Sequence, residues 1–431
     1  MSLTARRRDD VMPVSQAAKM LGVKPATVYA YISRGLLSST RLPEDRRSWI
    51  SRAEVEAFAR RPGARPVALS GTDGDPVPLE TTAAPGPVAA PGPVAAAGPV
   101  AGSDVGGIVG HRLLYRGRDA TDLLKSGSYG AVAELLWTGR PGTSQLRLPE
   151  QPTRDLLATL QDTMPTASLP LDRLKAAAVL LGASDPFRYD LSRSAVISIA
   201  RTLAPAFVES LPARAPAREA QLEGDSLATR LWSKLSDAEP SPAQLSLLSG
   251  ALILLAEHGL GPSTRAAREA AGSEADPYSV VLAGTSVASG LLLGGGSSLA
   301  VQAWLEEIDS VTEVPQVLAD RLVRGDRVSG FGQPRYPGPD PRAAAMMTLL
   351  ADSGGDQDRQ HIVREVVDLV RSRRDLAPNA EFALGAMCFV HRMPRGAGEA
   401  VFVIARSAGW IAHAIEEYET APGTNPPFTR G

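Results

Sequence analysis

The stretch Gly330–Ala343 reads GFGQPRYPGPDPRA. Two glycines lead into a single glutamine, Gln333, and a proline-rich turn then delivers Asp340-Pro341-Arg342 at the head of a helical pattern. Glycines arranged around one polar side chain and followed by an arginine suggest a loop shaped for close approach. A glutamine amide donates and accepts hydrogen bonds but cannot carry a proton. A planar guanidinium is the natural bidentate partner of a carboxylate. The plainer alternative is that Arg342 pairs with Asp340 or caps the helix. The single cysteine, Cys388, lies in the apolar run ALGAMCFV and reads as a buried structural thiol rather than a nucleophile.

A second chemistry sits at the N-terminus. In VSQAAKMLGVKPATVYAYISRGLL, Ala17, Ala18 and Leu21 give one apolar face, Gly22 makes a turn, and Lys24-Pro25-Ala26-Thr27 opens a second helix with Val28 and Ile32 inward. Arg46-Arg47-Ser48-Trp49 and the helical AEVEAFARR follow. This order resembles the winged helix-turn-helix of the MerR and excisionase-like families, with the arginine pair in the wing. The resemblance implies that Lys24, Thr27, Tyr29, Tyr31 and Arg34 face the DNA groove or phosphates, and Arg46 and Arg47 the backbone. A small helical docking module with merely solvated charges is the bland alternative. One such domain reads few bases, so useful affinity needs two copies.

The elements that must position these residues separate by composition. Residues 1–65 carry 13 Lys/Arg against 6 Asp/Glu, whereas the whole 431-residue chain has a formal net charge of −2. The two ends therefore face different partners. Residues 11–61 form the DNA-binding segment. Residues 62–105 contain APGPVA, APGPVA and AAGPVA in tandem, which cannot build a core and read as a flexible linker. Residues 106–420 are dominated by Leu/Ala-rich helical spacing, as in 171–182, 244–257, 344–350 and 399–416. The expected fold class is all-α. MSLTARRRDD has no apolar core behind it and does not read as a signal peptide. Tyr278–Val301 is broken by Ser, Thr and glycines, so it reads as a core helix and a loop rather than a membrane span. A lone cysteine fits a reducing cytoplasm.

Six ordered stretches of the third segment resemble the citrate synthase family: HRLLYRGRDATDLLKSGSYGAVAELLWTGRPG, LLAEHGLGPSTRAAREAAGSEADPYSVV, SGLLLGGGSSLAVQ, the loop from Gly330, LAPNAEFALG and FVIARSAGWIAHAIEE. That family condenses acetyl-CoA with oxaloacetate and hydrolyses the thioester. It is an all-helical homodimer whose large and small domains close over substrates. The resemblance places its catalytic aspartate and two histidines at Glu381, Leu293 and Gln333. It places its substrate-anchoring histidine and arginines at His258, Arg342 and Arg406, although His258 could equally be an ordinary core histidine.

Leu293 offers no donor to a developing enolate, where losing one preorganised donor typically costs about 10²–10³ in rate. Glu381 keeps a carboxylate that is one methylene longer. Elsewhere Gly261 stands at the family's asparagine, Pro334 at an arginine with Arg335 one residue on, and Arg430 is a weak match to a C-terminal arginine.

Three functions follow from the resemblance. One is an impaired citrate synthase-like domain that binds a dicarboxylate or 2-oxo acid such as oxaloacetate, coupled to DNA and paired with itself or with an active homologue. Another is an active condensing enzyme of citrate or methylcitrate synthase type, with acetyl-CoA or another acyl-CoA as co-substrate. The third is an inert structural subunit. None calls for a metal, a cofactor or a membrane.

Overall fold

The computed structural model describes residues 11–21, 28, 39–42, 45–59, 103–126, 128–214, 227–290, 295–326 and 328–420. The chain divides into two compact units, Met1–Pro87 and Val88–Gly431.

In the first unit, strand β1 (Val11–Pro13) runs into helix α1 (Val14–Leu21). Strands β2 (Ser39–Leu42) and β3 (Asp45–Ser51) then form a hairpin, and helix α2 (Arg52–Ala59) follows. The three strands pair antiparallel in the order β1-β3-β2. Met12, Val14, Ala17, Ala18, Val28, Ile50 and Val55 make a small core, with Leu21 packed against it. The apolar face predicted for the first helix is the face that is buried. Arg46 and Arg47 lie on β3, within the hairpin that takes the place of a wing. Lys24, Thr27, Tyr29, Tyr31 and Arg34 lie outside the described residues.

The second unit opens with a meander absent from the sequence reading: β4 (Gly106–Val109), β5 (Arg112–Tyr115) and β6 (Arg118–Asp119), all antiparallel. Ile108 pairs with Leu113, and both are buried with Tyr115. Strands this short give too few alternations to be recognised beside a long helical pattern.

The remainder is helical. Tyr129–Thr138 (α3), Gln151–Thr163 (α4), Pro170–Ser184 (α5), Arg193–Glu209 (α6), Leu227–Leu235 (α7), Pro242–Leu255 (α8), Pro262–Gly272 (α9) and Pro277–Ala288 (α10) come first. Gly295–Leu305 (α11), Val314–Arg324 (α12), Pro341–Asp352 (α13), Gln357–Arg374 (α14), Ala380–Val390 (α15) and Ala397–Thr420 (α16) complete the unit. Many of these helices start with proline in the first turn, where its missing N–H costs nothing and its fixed φ suits the helix.

Helix α16 organises the core. It is mostly apolar, and every residue from Ala397 to Ile415 is buried, as expected of a helix enclosed by others. It packs against α3, α5, α6, α8, α9, α10, α11 and α15. Trp410 fills the space left by Gly284 on α10, where an added Cβ would lie 2.7 Å from the indole. Cys388 is buried as expected, and burial pushes its thiol up to about 12.

The start of the unit is tied to the end of α16. Ser103 Oγ donates to Glu416 Oε2 at 2.7 Å, the Asp104 N–H donates to Glu416 Oε1 at 3.0 Å, and Arg116 lies 3.5 Å from the same carboxylate. Among the described residues, no helix is long and apolar enough to cross a membrane.

Candidate functional site

The loop Gly330–Asp340 is held from below by the start of α15. Asn379 caps α15 by accepting from the Phe382 N–H, and its amide donates to the Gly332 carbonyl at 3.0 Å. The Gly330 carbonyl accepts from the Asn379 N–H, and the Gly332 N–H donates to the Ala377 carbonyl. Gly330 has φ +100, and a Cβ there would sit 2.8 Å from both Phe382 Cβ and a Val301 methyl. Only glycine meets both demands. The loop is thereby pressed onto α11 and α15. Gln333 stands half-buried at its tip, its side-chain oxygen 3.5 Å from the Arg335 N–H.

The far end of the loop is fixed by Asp340. This residue caps α13 by accepting from the Arg342 N–H, and it takes Arg342 Nε and Nη2 at 3.0 and 2.7 Å. It also accepts from the Ala380 N–H at the head of α15. Both partners of the ion pair are buried. Arg342 is therefore committed to Asp340 through two of its nitrogens, as the plainer reading of the sequence held. The neighbouring carboxylate raises its already high pKa further, against a desolvation cost that burial imposes.

Across from this loop, Glu257-His258 follow the end of α8. Tyr115, from β5, donates its hydroxyl toward the carbonyls of Ile253, Leu254 and Glu257 at the helix end. His258 is buried. Its Nε2 meets the Tyr336 hydroxyl at 2.9 Å. Desolvation, with Arg342, Arg335 and Arg406 nearby, holds its pKa well below the usual value, so it is neutral.

Arg406 approaches from α16. Its Nε donates to the Leu255 carbonyl at 2.6 Å and its guanidinium lies 4.8 Å from the Phe402 ring. Its Nη2 is buried without a hydrogen-bond partner among the described residues. Glu381, in the first turn of α15, keeps Oε2 buried and similarly unpartnered; desolvation raises its pKa, with Arg342 opposing.

The structure thus brings His258, Arg342, Arg406 and Glu381 into one buried cluster, with Gln333 on the loop that also carries Arg335. Leu293 lies outside the described residues. Three residues not singled out as site residues from the sequence join the pocket. Arg335 places Nη1 2.5 Å from the His258 carbonyl, and Tyr336 takes the histidine ring. Glu257, fully buried, sits between Gly106 and Gly409, where added Cβ atoms would fall 2.6 and 2.3 Å from its side chain. Its Oε1 lies 3.2 Å from Nε2 of the equally buried His413, an ionic contact without hydrogen-bond geometry. His413 also contacts Ser103 and Glu416, and these carboxylates raise its pKa to about 8 despite burial.

Beside the loop, Leu318, Leu322, Phe331, Leu369 and Leu376 line an apolar cleft of about 830 Å³ that also includes Arg373 and Arg374. Among the described residues no group of three His, Cys, Asp or Glu could hold a metal ion.

Residues 95–426 match the citrate synthase C-terminal domain. The chain belongs to the citrate synthase family. Residues 11–62 match a helix-turn-helix domain. The citrate synthase of Synechocystis sp. is 30% identical over 71% of this chain and 81% of its own length. The citrate synthase of Haloferax volcanii is 28% identical over 72% of this chain and 86% of its own. The 2-methylcitrate synthase 1 of Corynebacterium glutamicum is 27% identical over 71% and 86%.

Solved citrate synthases share the fold. That of Thermotoga maritima aligns with a TM-score of 0.60 and 24% identity, covering 77% of this chain and 93% of its own. A ternary complex of carboxymethyl coenzyme A and oxaloacetate with the citrate synthase of Thermoplasma acidophilum aligns at 0.60 and 22%, covering 76% and 91%. Within the matched region, position 333 at the loop tip is a glutamine and position 381 a glutamate.

Proposed function

We propose that the citrate synthase-like unit binds a dicarboxylate or 2-oxo acid such as oxaloacetate, that its condensing chemistry is impaired, and that the helix-turn-helix unit puts this binding to use on DNA. The observation that carries the reading is the buried, unpartnered Nη2 of Arg406. Two further guanidinium groups, Arg335 and Arg342, lie nearby; Asp340 is already paired with Arg342, and Glu257 supports the charge of Arg406 without bonding to its Nη2. A buried guanidinium N–H without an acceptor is costly, and an anionic ligand would remove that cost. The chemistry of the family needs a donor at the enolate oxygen and a group to polarise the ketone. Leucine at position 293 supplies no donor, and Gln333 offers only an amide. A second copy of the chain, or an active homologue, would supply the paired DNA-reading heads.

One observation favours an active enzyme instead. Glu381 is a buried carboxylate with a raised pKa and a free oxygen, the condition of a general base. The apolar cleft beside the loop suits the acyl-CoA that such a reaction needs.

Titration of the full-length protein with oxaloacetate by calorimetry, paired with thiol release from acetyl-CoA at high protein concentration, separates the readings. Binding without release supports the regulator. Release above the buffer rate hands the site to the enzyme. Absence of both removes the carboxylate pocket altogether.

A further inference from the structure

In the sequence Arg335 stood out only as an arginine one residue beyond Pro334, yet it reaches His258 at the centre of the cluster. It crosses the turn Gly259–Gly261. Gly259 has φ +64, and a Cβ there would lie 3.0 Å from Arg335 Nη2; a Cβ at Gly261 would lie 3.8 Å from Nη1. Two glycines in three residues thus leave the bed in which the guanidinium rests. From there Nη1, which carries two hydrogens, faces two acceptors on one residue: the His258 carbonyl at 2.5 Å and His258 Nδ1 at 3.4 Å.

The donor and acceptor inventory now fixes the protons. Arginine only donates, so Nδ1 must accept. His258 is buried and lies among three arginines, so its ring is neutral and carries one proton. That proton is therefore on Nε2, which donates to Tyr336 Oη at 2.9 Å. Tyr336 remains a phenol, because burial pushes it up to about 12. Its own O–H must point away from His258, and the hydroxyl has no other partner among the described residues.

We propose that Arg335 is a positioning residue: it fixes His258 as the Nε2–H tautomer and so makes the Tyr336 hydroxyl a hydrogen-bond donor presented to the anionic ligand. The ligand half of this inference rests on the carboxylate-pocket reading above; the tautomer half does not. The consequence is that the pocket offers a neutral donor from the same loop as Gln333. Ligand oxygen, Tyr336, His258 and Arg335 form one directed chain.

The test begins without ligand. Nitrogen-15 NMR of the histidine side chains in the full-length protein, with His258 assigned from an H258Q variant, reads the tautomer directly. The expected state is a protonated Nε2 and a bare Nδ1 in the wild type, lost or mixed in R335M and restored in R335K. A protonated Nδ1 in the wild type, or an unchanged tautomer in R335M, overturns the proposal. The second arm uses oxaloacetate as the probe. R335M and Y336F should each weaken its binding about tenfold, as loss of one buried hydrogen bond does, and the double variant should be no weaker than Y336F. If R335M still weakens binding in the Y336F background, Arg335 acts through its own charge and the chain is refuted. If the wild type does not bind oxaloacetate but the tautomer responds to R335M, the functional reading falls while the positioning of His258 stands.

Discussion

Replacing Asp340 by alanine isolates what holds the pocket loop. The carboxylate accepts from the Arg342 backbone N–H, from Arg342 Nε and Nη2, and from the Ala380 N–H, and both side chains of the ion pair are buried. Removing one partner of a buried pair strands the other charge, which costs about 3–5 kcal/mol. Loss of the cap on α13 adds about 1 kcal/mol. The sum should lower the urea midpoint of the full-length protein by more than about 1 M for a slope of up to about 3 kcal/mol/M. The charge argument also makes a stronger demand. In the double variant D340A/R342M no charge is stranded, and most of the loss should return, leaving a deficit near the cap alone. A D340A midpoint within about 0.3 M of wild type, or a double variant no more stable than D340A, would refute the reasoning.

Three further outcomes follow. The raised pKa of His413, about 8 against 6.5, means its contribution is full below pH 6.5 and is lost as pH rises through about 8. About 2 kcal/mol should disappear over that window, and H413Q, followed by urea midpoints against pH, should flatten it. Gly330→Ala places a Cβ 2.8 Å from Phe382 Cβ at a positive φ and should cost at least about 2 kcal/mol in the same assay. Cys388, buried with its thiol held near 12, should resist a disulfide reagent in the native protein and react fully in denaturant; rapid native labelling would show that α15 is not packed as described.

Long helices were legible because their apolar spacing repeats often: 171–182, 244–257, 344–350 and 399–416 each fall within or almost within an observed helix. The β4–β6 meander was not, since two- to four-residue strands carry no usable period. In the buried cluster, His258 and Arg406 had been singled out through ordered motifs. Arg335 and Tyr336 were not, because their importance comes from a contact 77 or 78 residues away in sequence. Glu257 was missed for a related reason. A glutamate inside an apolar run gives no sign that two distant glycines, Gly106 and Gly409, leave room for it.

The pinning of Ser103 and Asp104 to Glu416 also sets a load path. A pull on Ser103 passes through these bonds to the C-terminal end of α16, the longest helix among the described residues and the one buried almost throughout. That helix shares the load with the eight helices packed around it. A fragment cut at Ser103 keeps this mooring, whereas one cut at Gly106 loses it and leaves the Glu416 carboxylate without two of its hydrogen bonds. Among the described residues, the anchoring of the unit thus starts at Ser103, three residues before its first strand.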